Sequence, residues 1–279
     1  VGVIRVLEEA GIKPDLVCGT SIGALVGAAY AAGELRNLEK WLLGLGITDV
    51  LSFMDVRLNG GIIKGERLME FFRKSFIDRP IEDLAIPFAA VATALHNGAE
   101  VWLREGSTIE AVRASIALPA LFTPVVREGR TLVDGALVNP VPVSLARAMG
   151  ADIVIAVDLG SDLLGRHLQE EAESEAPVAE VSEWRRKLQE NLSAFIPDNS
   201  DDEPELPSML DVVANSINIM QVRISRSRMA GDPPEAIVTP RLAHLGLLDF
   251  HRSKEAIEEG ERAAEHALHG IKALFSHVQ

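Results

Sequence analysis

Cysteine is nearly absent from this 279-residue chain, where Cys18 stands alone. A single thiol excludes an internal disulfide framework and any Cys-cluster zinc site. Positive charge is scarce too: 27 lysines and arginines face 41 aspartates and glutamates, a formal charge of −14. A nucleic-acid-binding domain carries a basic footprint, so that class is set aside. The average surface also repels an anionic membrane. Long hydrophobic runs are missing. No stretch approaches the roughly 18 uninterrupted apolar residues of a spanning helix. The longest, Ile116–Val126, holds Pro119 and Pro124. No secretory signal pattern is visible. What is present is a 47% hydrophobic composition. That is too apolar for a disordered chain and enough for one large α/β domain or two small ones.

Periodicity sketches the elements. Val1–Ala10 reads as a helix closed by Gly11, and Asp15–Cys18 as a short strand. The alanine-rich Thr20–Ala32 reads as a helix ending at Gly33, and Leu35–Leu45 as an amphipathic helix. A further helix is expected over Gly65–Phe76. Pro87–Leu95 and Ala99–Arg104 read as strands around an Asn97–Gly98 hairpin turn. Thr108–Ile116 and Val143–Met149 read as helices, and Thr131–Val133 as a short strand. Asp152–Leu159 has the continuous apolar pattern of a strand covered on both faces. Ala236–Thr239 is a last strand, and Leu248–Phe275 is mostly a charged helix. Such alternation indicates an α/β fold with a largely parallel sheet. Residues 161–208 differ, with 13 acidic and four basic side chains carrying −9 of the −14. They read as a solvated, flexible insertion within a single domain spanning 1–279.

Gly19-Thr20-Ser21-Ile22-Gly23 fits G-x-S-x-G after an apolar strand and at the head of a helix. That is the context of a nucleophile elbow, a sharp turn that projects the serine from the sheet edge. The flanking glycines would relieve Cβ clashes, and the Ile22 amide would serve as an oxyanion donor. The same residues also suit a plain strand-to-helix turn, with Gly19, Gly23 and Gly27 lining one helix face. Nucleotide binding fits poorly, because the spacing is not G-x-G-x-x-G and no Gly-Lys-Ser/Thr follows.

A serine nucleophile needs a base. Of the seven histidines, only His244 and His251 lie in loop-like context late in the chain. The stronger candidate is Asp134, delivered by an apolar strand to a Gly135–Ala136 turn and followed by Asn139-Pro140-Val141-Pro142. A desolvated carboxylate in contact with serine can act as its base. Asp-Gly is also ordinary turn chemistry.

These residues resemble a known family. The run VGVIRVLEEAGIKPDLVCGTSIGALVGAAYAAG, followed by RASIALPALFTPVV, LVDGALVNPVPVSLARAMGADIVIAVDL, RMAGDPPEAIVTP and LLDFHRSKEAIEEG, is similar to the patatin-like phospholipases. It looks most like their bacterial branch related to neuropathy target esterase. The resemblance implies a three-layer α/β/α fold with a mostly parallel central sheet. It implies Ser21 as nucleophile and Asp134 as general base, with Gly19, Ile22 and Gly23 forming the elbow and Gly135 and Ala136 the dyad turn. The implied reaction is hydrolysis of acyl esters in phospholipids or lysophospholipids through an acyl-serine intermediate, with no cofactor and no metal. A non-catalytic interaction protein on the same fold, or a lipid acyltransferase or thioesterase using the same dyad, remain alternatives. The expected partner is the lipid substrate, with a transient membrane-surface contact and a homodimer as further candidates and nucleic acid set aside on charge. A cytoplasmic or membrane-peripheral location is expected.

The resemblance also implies a glycine-rich oxyanion loop and a first strand, which are expected to lie upstream of Val1, since the sequence opens in what reads as the helix that follows them. The expectation is a fragment, impaired as an enzyme until the upstream loop is restored. Further expectations concern isolated groups. Val181, Trp184, Leu188, Leu192, Phe195 and Ile196 space as an amphipathic helix near 181–196, a lid or a packing element. Arg223, Arg226 and Arg228 form either a solvated basic face or a phosphate contact. Cys18 reads as a small buried hydrophobe.

Overall fold

A computed structural model describes residues 1–46, 48–49, 69–70, 72–73, 79–119, 121–160, 209–246 and 249–276. The expected insertion 161–208, with its helix near 181–196, lies outside the described residues, as does most of the expected Gly65–Phe76 helix. The described elements are α1 (Gly2–Glu9), β1 (Val17–Thr20), α2 (Ile22–Ala31), α3 (Leu35–Gly44), β2 (Phe88–Ala94), β3 (Glu100–Leu103), α4 (Thr108–Ser115), β4 (Val125–Arg127), β5 (Arg130–Asp134), α5 (Val143–Ala148), β6 (Ile155–Val157), α6 (Met209–Gly231), β7 (Ala236–Val238) and α7 (Ser253–Phe275).

Strand β2 is the axis of the fold. All seven of its residues are buried, as its run of alanines between Phe88 and Ala94 allows. Its side chains alternate between faces. Phe88, Ala90, Ala92 and Ala94 pack with α2, α3 and α4 in the main core. Ala89 and Val91 pack on the opposite side against Leu145 of α5. This is the helix–sheet–helix layering that the family resemblance implies. Small residues let α2 lie close on the sheet: a Cβ at Gly27 would sit 2.9 Å from Val17 Cγ1 and 3.3 Å from Phe88 Cε2.

Strand pairing is more mixed than a mostly parallel sheet. β1–β2 and β6–β7 are parallel, whereas β2–β3, β2–β5 and β4–β5 are antiparallel. The Asn97–Gly98 turn makes β2–β3 a hairpin, with Gly98 at φ 69° and the Ala99 amide donating to Asn97 Oδ1. Strands joined by such a short turn must run antiparallel.

Two strands share one edge of β2. Val91 pairs with both Thr20 of β1 and Trp102 of β3, and Ala92 pairs with both Val101 of β3 and Asp134 of β5. Since a strand has only two edges, β1 and β5 both lie opposite β3 and approach end to end. Their C-terminal residues, Thr20 and Asp134, sit at the adjacent β2 positions Val91 and Ala92.

The Asp152–Leu159 run departs from expectation. It yields only three strand residues, Ile155–Val157, paired with β7 in a separate two-stranded sheet. Val157 and Leu159 are 37% and 40% exposed, while Ala156 is buried. Length and hydrophobicity do not say how many neighbours a strand acquires.

Candidate active site

Ser21 occupies the turn between β1 and α2. Its backbone has φ 54° and ψ −124°, a conformation that L-residues rarely adopt and that costs of order 1–3 kcal/mol unless the surroundings fix it. The chain adopts it because β1 runs directly into α2, with one residue to reverse direction. Gly19 is needed for that turn, since a Cβ there would lie 2.3 Å from the Gly23 carbonyl oxygen. Gly23 differs: a Cβ on it meets nothing within 4 Å. The expectation that both flanking glycines relieve clashes therefore holds for Gly19 alone. Nor do Gly19, Gly23 and Gly27 share a helix face, because Gly19 belongs to β1 and Gly23 faces open space.

The end-to-end meeting of β1 and β5 brings two side chains together. The Ser21 hydroxyl donates to Asp134 Oδ2 at 2.6 Å. Asp134 is fully buried. Its second oxygen, Oδ1, accepts the Ala136 amide at 2.8 Å, so the turn Gly135–Leu137 is capped by the carboxylate itself. The Asp134 amide donates to the Ala117 carbonyl at 2.9 Å, and the Thr93 hydroxyl donates to the Asp134 carbonyl at 2.8 Å. Gly135 lies flat on β2: a Cβ there would fall 2.2 Å from the Val91 oxygen. Burial raises the Asp134 carboxyl from 3.8 to about 6, although its bonds from Ser21 and Ala136 favour the charged form. A carboxylate poised there can hold or release a proton near neutral pH.

Three polar contacts around the pair are not visible in the motifs. The Ser21 amide donates to Ser115 Oγ at 2.9 Å, and the Ser115 hydroxyl donates to the Val91 carbonyl at 2.6 Å. The Thr20 hydroxyl donates to the Asn139 carbonyl at 2.8 Å, tying the elbow to the Asn-Pro segment after the dyad turn. Only the small polar residues at 20 and 115, adjacent to the elbow and inside the RASIALP run, hinted at them. The Ile22 and Gly23 amides head α2, where no carbonyl one turn back can accept them within the helix. Beside the half-buried Ser21, Ile22 is 36% exposed.

The other candidates fall elsewhere. Among the described residues no histidine hydrogen-bonds to Ser21 or Asp134. His244 instead pairs with Glu255 at 2.6 Å on the surface, and His251 lies in the short turn Phe250–Arg252. Arg228 pairs with Glu100 at 2.6 Å, while Arg223 and Arg226 are exposed on α6. Cys18 packs its sulfur 3.4 Å from Met149 Sδ, and burial pushes its thiol up to about 12. That favours the neutral thiol, and Cys18 is half-buried rather than the fully buried hydrophobe expected. Among the described residues no group of three His, Cys, Asp or Glu side chains could hold a metal ion.

Comparison with known proteins gives a consistent family. An uncharacterized NTE family protein of Mycobacterium tuberculosis is 29% identical over 316 residues, covering 98% of this chain and 88% of that protein. Human patatin-like phospholipase domain-containing protein 6 is 34% identical over 168 residues, covering 58% of this chain and 12% of that protein. The crystal structure of VipD from Legionella pneumophila superposes with a TM-score of 0.51 at 13% identity, over 96% of this chain and 63% of that one, a likeness of fold. The family model described as patatin-like phospholipase matches residues 1–147, which include both Ser21 and Asp134. The chain belongs to the patatin-like phospholipase family, and lipid hydrolysis is the general activity that this membership supports.

Proposed function

We propose that the protein is a serine esterase that hydrolyses acyl esters of phospholipids or lysophospholipids through a Ser21–Asp134 dyad. The observation that carries this reading is the 2.6 Å hydrogen bond from a strained, half-buried serine to a fully buried carboxylate. Asp134 takes the Ser21 proton as the hydroxyl oxygen attacks the ester carbonyl carbon. The carbonyl oxygen gains negative charge next to the Ile22 and Gly23 amides at the positive end of α2. When the tetrahedral intermediate collapses, Asp134 returns the proton to the leaving alcohol, and the acyl group stays on Ser21. Asp134 then deprotonates a water that attacks the acyl-serine, and the fatty acid leaves with Ser21 restored.

A raised carboxyl suits both halves of this cycle, since the group must accept and donate a proton in turn. Chain 1–279 works as one unit in this reading, with 161–208 as an acidic insertion in its sequence. The test is release of free fatty acid from phosphatidylcholine and lysophosphatidylcholine. Ser21→Ala should abolish release and Asp134→Asn should lower it by roughly 10²–10⁴, each leaving the fold intact. Undiminished release from Ser21→Ala would overturn the proposal. Transfer of the acyl chain to an alcohol without free acid would assign the same dyad to an acyltransferase.

A further inference from the structure

We infer that Ser115 is a positioning residue for the nucleophile, a two-way hydrogen-bond link that holds the strained Ser21 backbone against β2. This rests on the proposed role of Ser21. Ser115 ends α4 and is fully buried. Its oxygen accepts the Ser21 amide at 2.9 Å and its proton goes to the Val91 carbonyl at 2.6 Å. A hydroxyl offers one donor and two acceptor sites. An amide can only donate and a carbonyl can only accept, so the Ser115 rotor has one satisfying orientation. The link cannot reverse.

The location matters as much as the bond. Ser21 has φ 54° outside any helix or strand ladder, so its amide has no secondary-structure partner. Ser115 supplies one, and by binding Val91 it refers that amide to the strand that also positions Asp134. Val91 carries the contact surface of Gly135, Ala92 pairs with Asp134, and Thr93 donates to the Asp134 carbonyl. Both members of the pair are thus registered to three consecutive residues, Val91–Thr93. Ser115 is the side of that frame that acts on the serine. Without it, Ser21 would keep its chemistry and lose its aim.

The test uses Ser115→Ala and Ser115→Cys in the full chain, with Ser21→Ala as control. A fluorophosphonate probe reads the reactivity of Ser21, ester hydrolysis gives kcat and KM, and thermal melts report folding. Loss of one buried hydrogen bond of this kind corresponds to about ten-fold or more in rate. For folded Ser115→Ala we expect labelling and kcat to fall about ten-fold or more, with KM within about two-fold. Ser115→Cys keeps a donor and acceptor, weaker and on a somewhat larger atom, and should fall between alanine and wild type. If Ser115→Ala does not fold, Ser115→Cys carries the test alone. Slower labelling at unchanged KM supports the inference. Folded variants that label and turn over at the wild-type rate overturn it. A wild-type protein that does not label at Ser21 would instead overturn the esterase proposal, so the two failures are distinguishable.

Discussion

Replacing Asp134 by asparagine should remove catalysis and stabilise the protein at the same time. Burial raises this carboxyl from 3.8 to about 6. The folded protein therefore holds the proton more tightly than the unfolded chain does. The resulting stabilisation is complete below pH 3.8 and is lost as pH rises through the interval up to about 6. Above that interval the folded state carries a buried charge that costs about 3 kcal/mol, from roughly two pH units at 1.36 kcal/mol each. Asparagine keeps the shape without the charge. Its oxygen can still accept the Ala136 amide, and its amino group can donate to Ser21. In urea titrations at pH 8, Asp134→Asn should be more stable than wild type by up to about 3 kcal/mol. At pH 4 the two should nearly coincide, because the folded wild type is already protonated. Ester hydrolysis should meanwhile fall by roughly 10²–10⁴. A variant less stable than wild type at pH 8, or a gain equal at both pH values, would refute the claim that desolvation sets the proton affinity of Asp134.

Other outcomes follow from the same geometry. The pH profile of kcat/KM should rise through an apparent pKa of about 6 and then level off, since Asp134 must be ionised to accept the Ser21 proton; a profile flat from pH 5 to 8 would exclude it as the base. Gly19→Ala should destabilise the fold by several kcal/mol, because its Cβ would press on the Gly23 backbone. Gly23→Ala should leave stability unchanged or raise it by up to about 1 kcal/mol, because its Cβ enters open space on a helix. Equal effects at the two glycines in thermal melts would contradict the elbow geometry. Gly135→Ala should be as damaging as Gly19→Ala, since a Cβ there collides with the Val91 carbonyl, and loss of both stability and turnover is the expected readout.

Much of this was legible in the sequence because it is local. A strand–glycine–serine–glycine–helix pattern announces an elbow, and Asn-Gly between two largely apolar runs announces a hairpin. Element boundaries moved by about two residues, as from Asp15–Cys18 to Val17–Thr20, because caps and turns blur the ends of a pattern. What stayed hidden is long-range. Nothing in the Ser21 or Asp134 segments states that β1 and β5 meet end to end on one edge of β2; that follows from pairings 71 positions apart for β1–β2 and 38–42 apart for β2–β5. Ser115 is one small polar residue at the end of a short helix, and its partners lie 94 and 24 positions away. Gly23 shows the opposite limit: the motif requires glycine there, and the sterics of the turn do not.

The most direct test of the account is to trap the acyl-enzyme. The protein would be mixed with excess lysophosphatidylcholine, quenched in acid within a turnover and digested for mass spectrometry. The account predicts the fatty-acyl mass on the peptide containing Ser21, and neither adduct nor released acid from Ser21→Ala. Turnover without an acyl adduct on Ser21, sustained in Ser21→Ala, would contradict it.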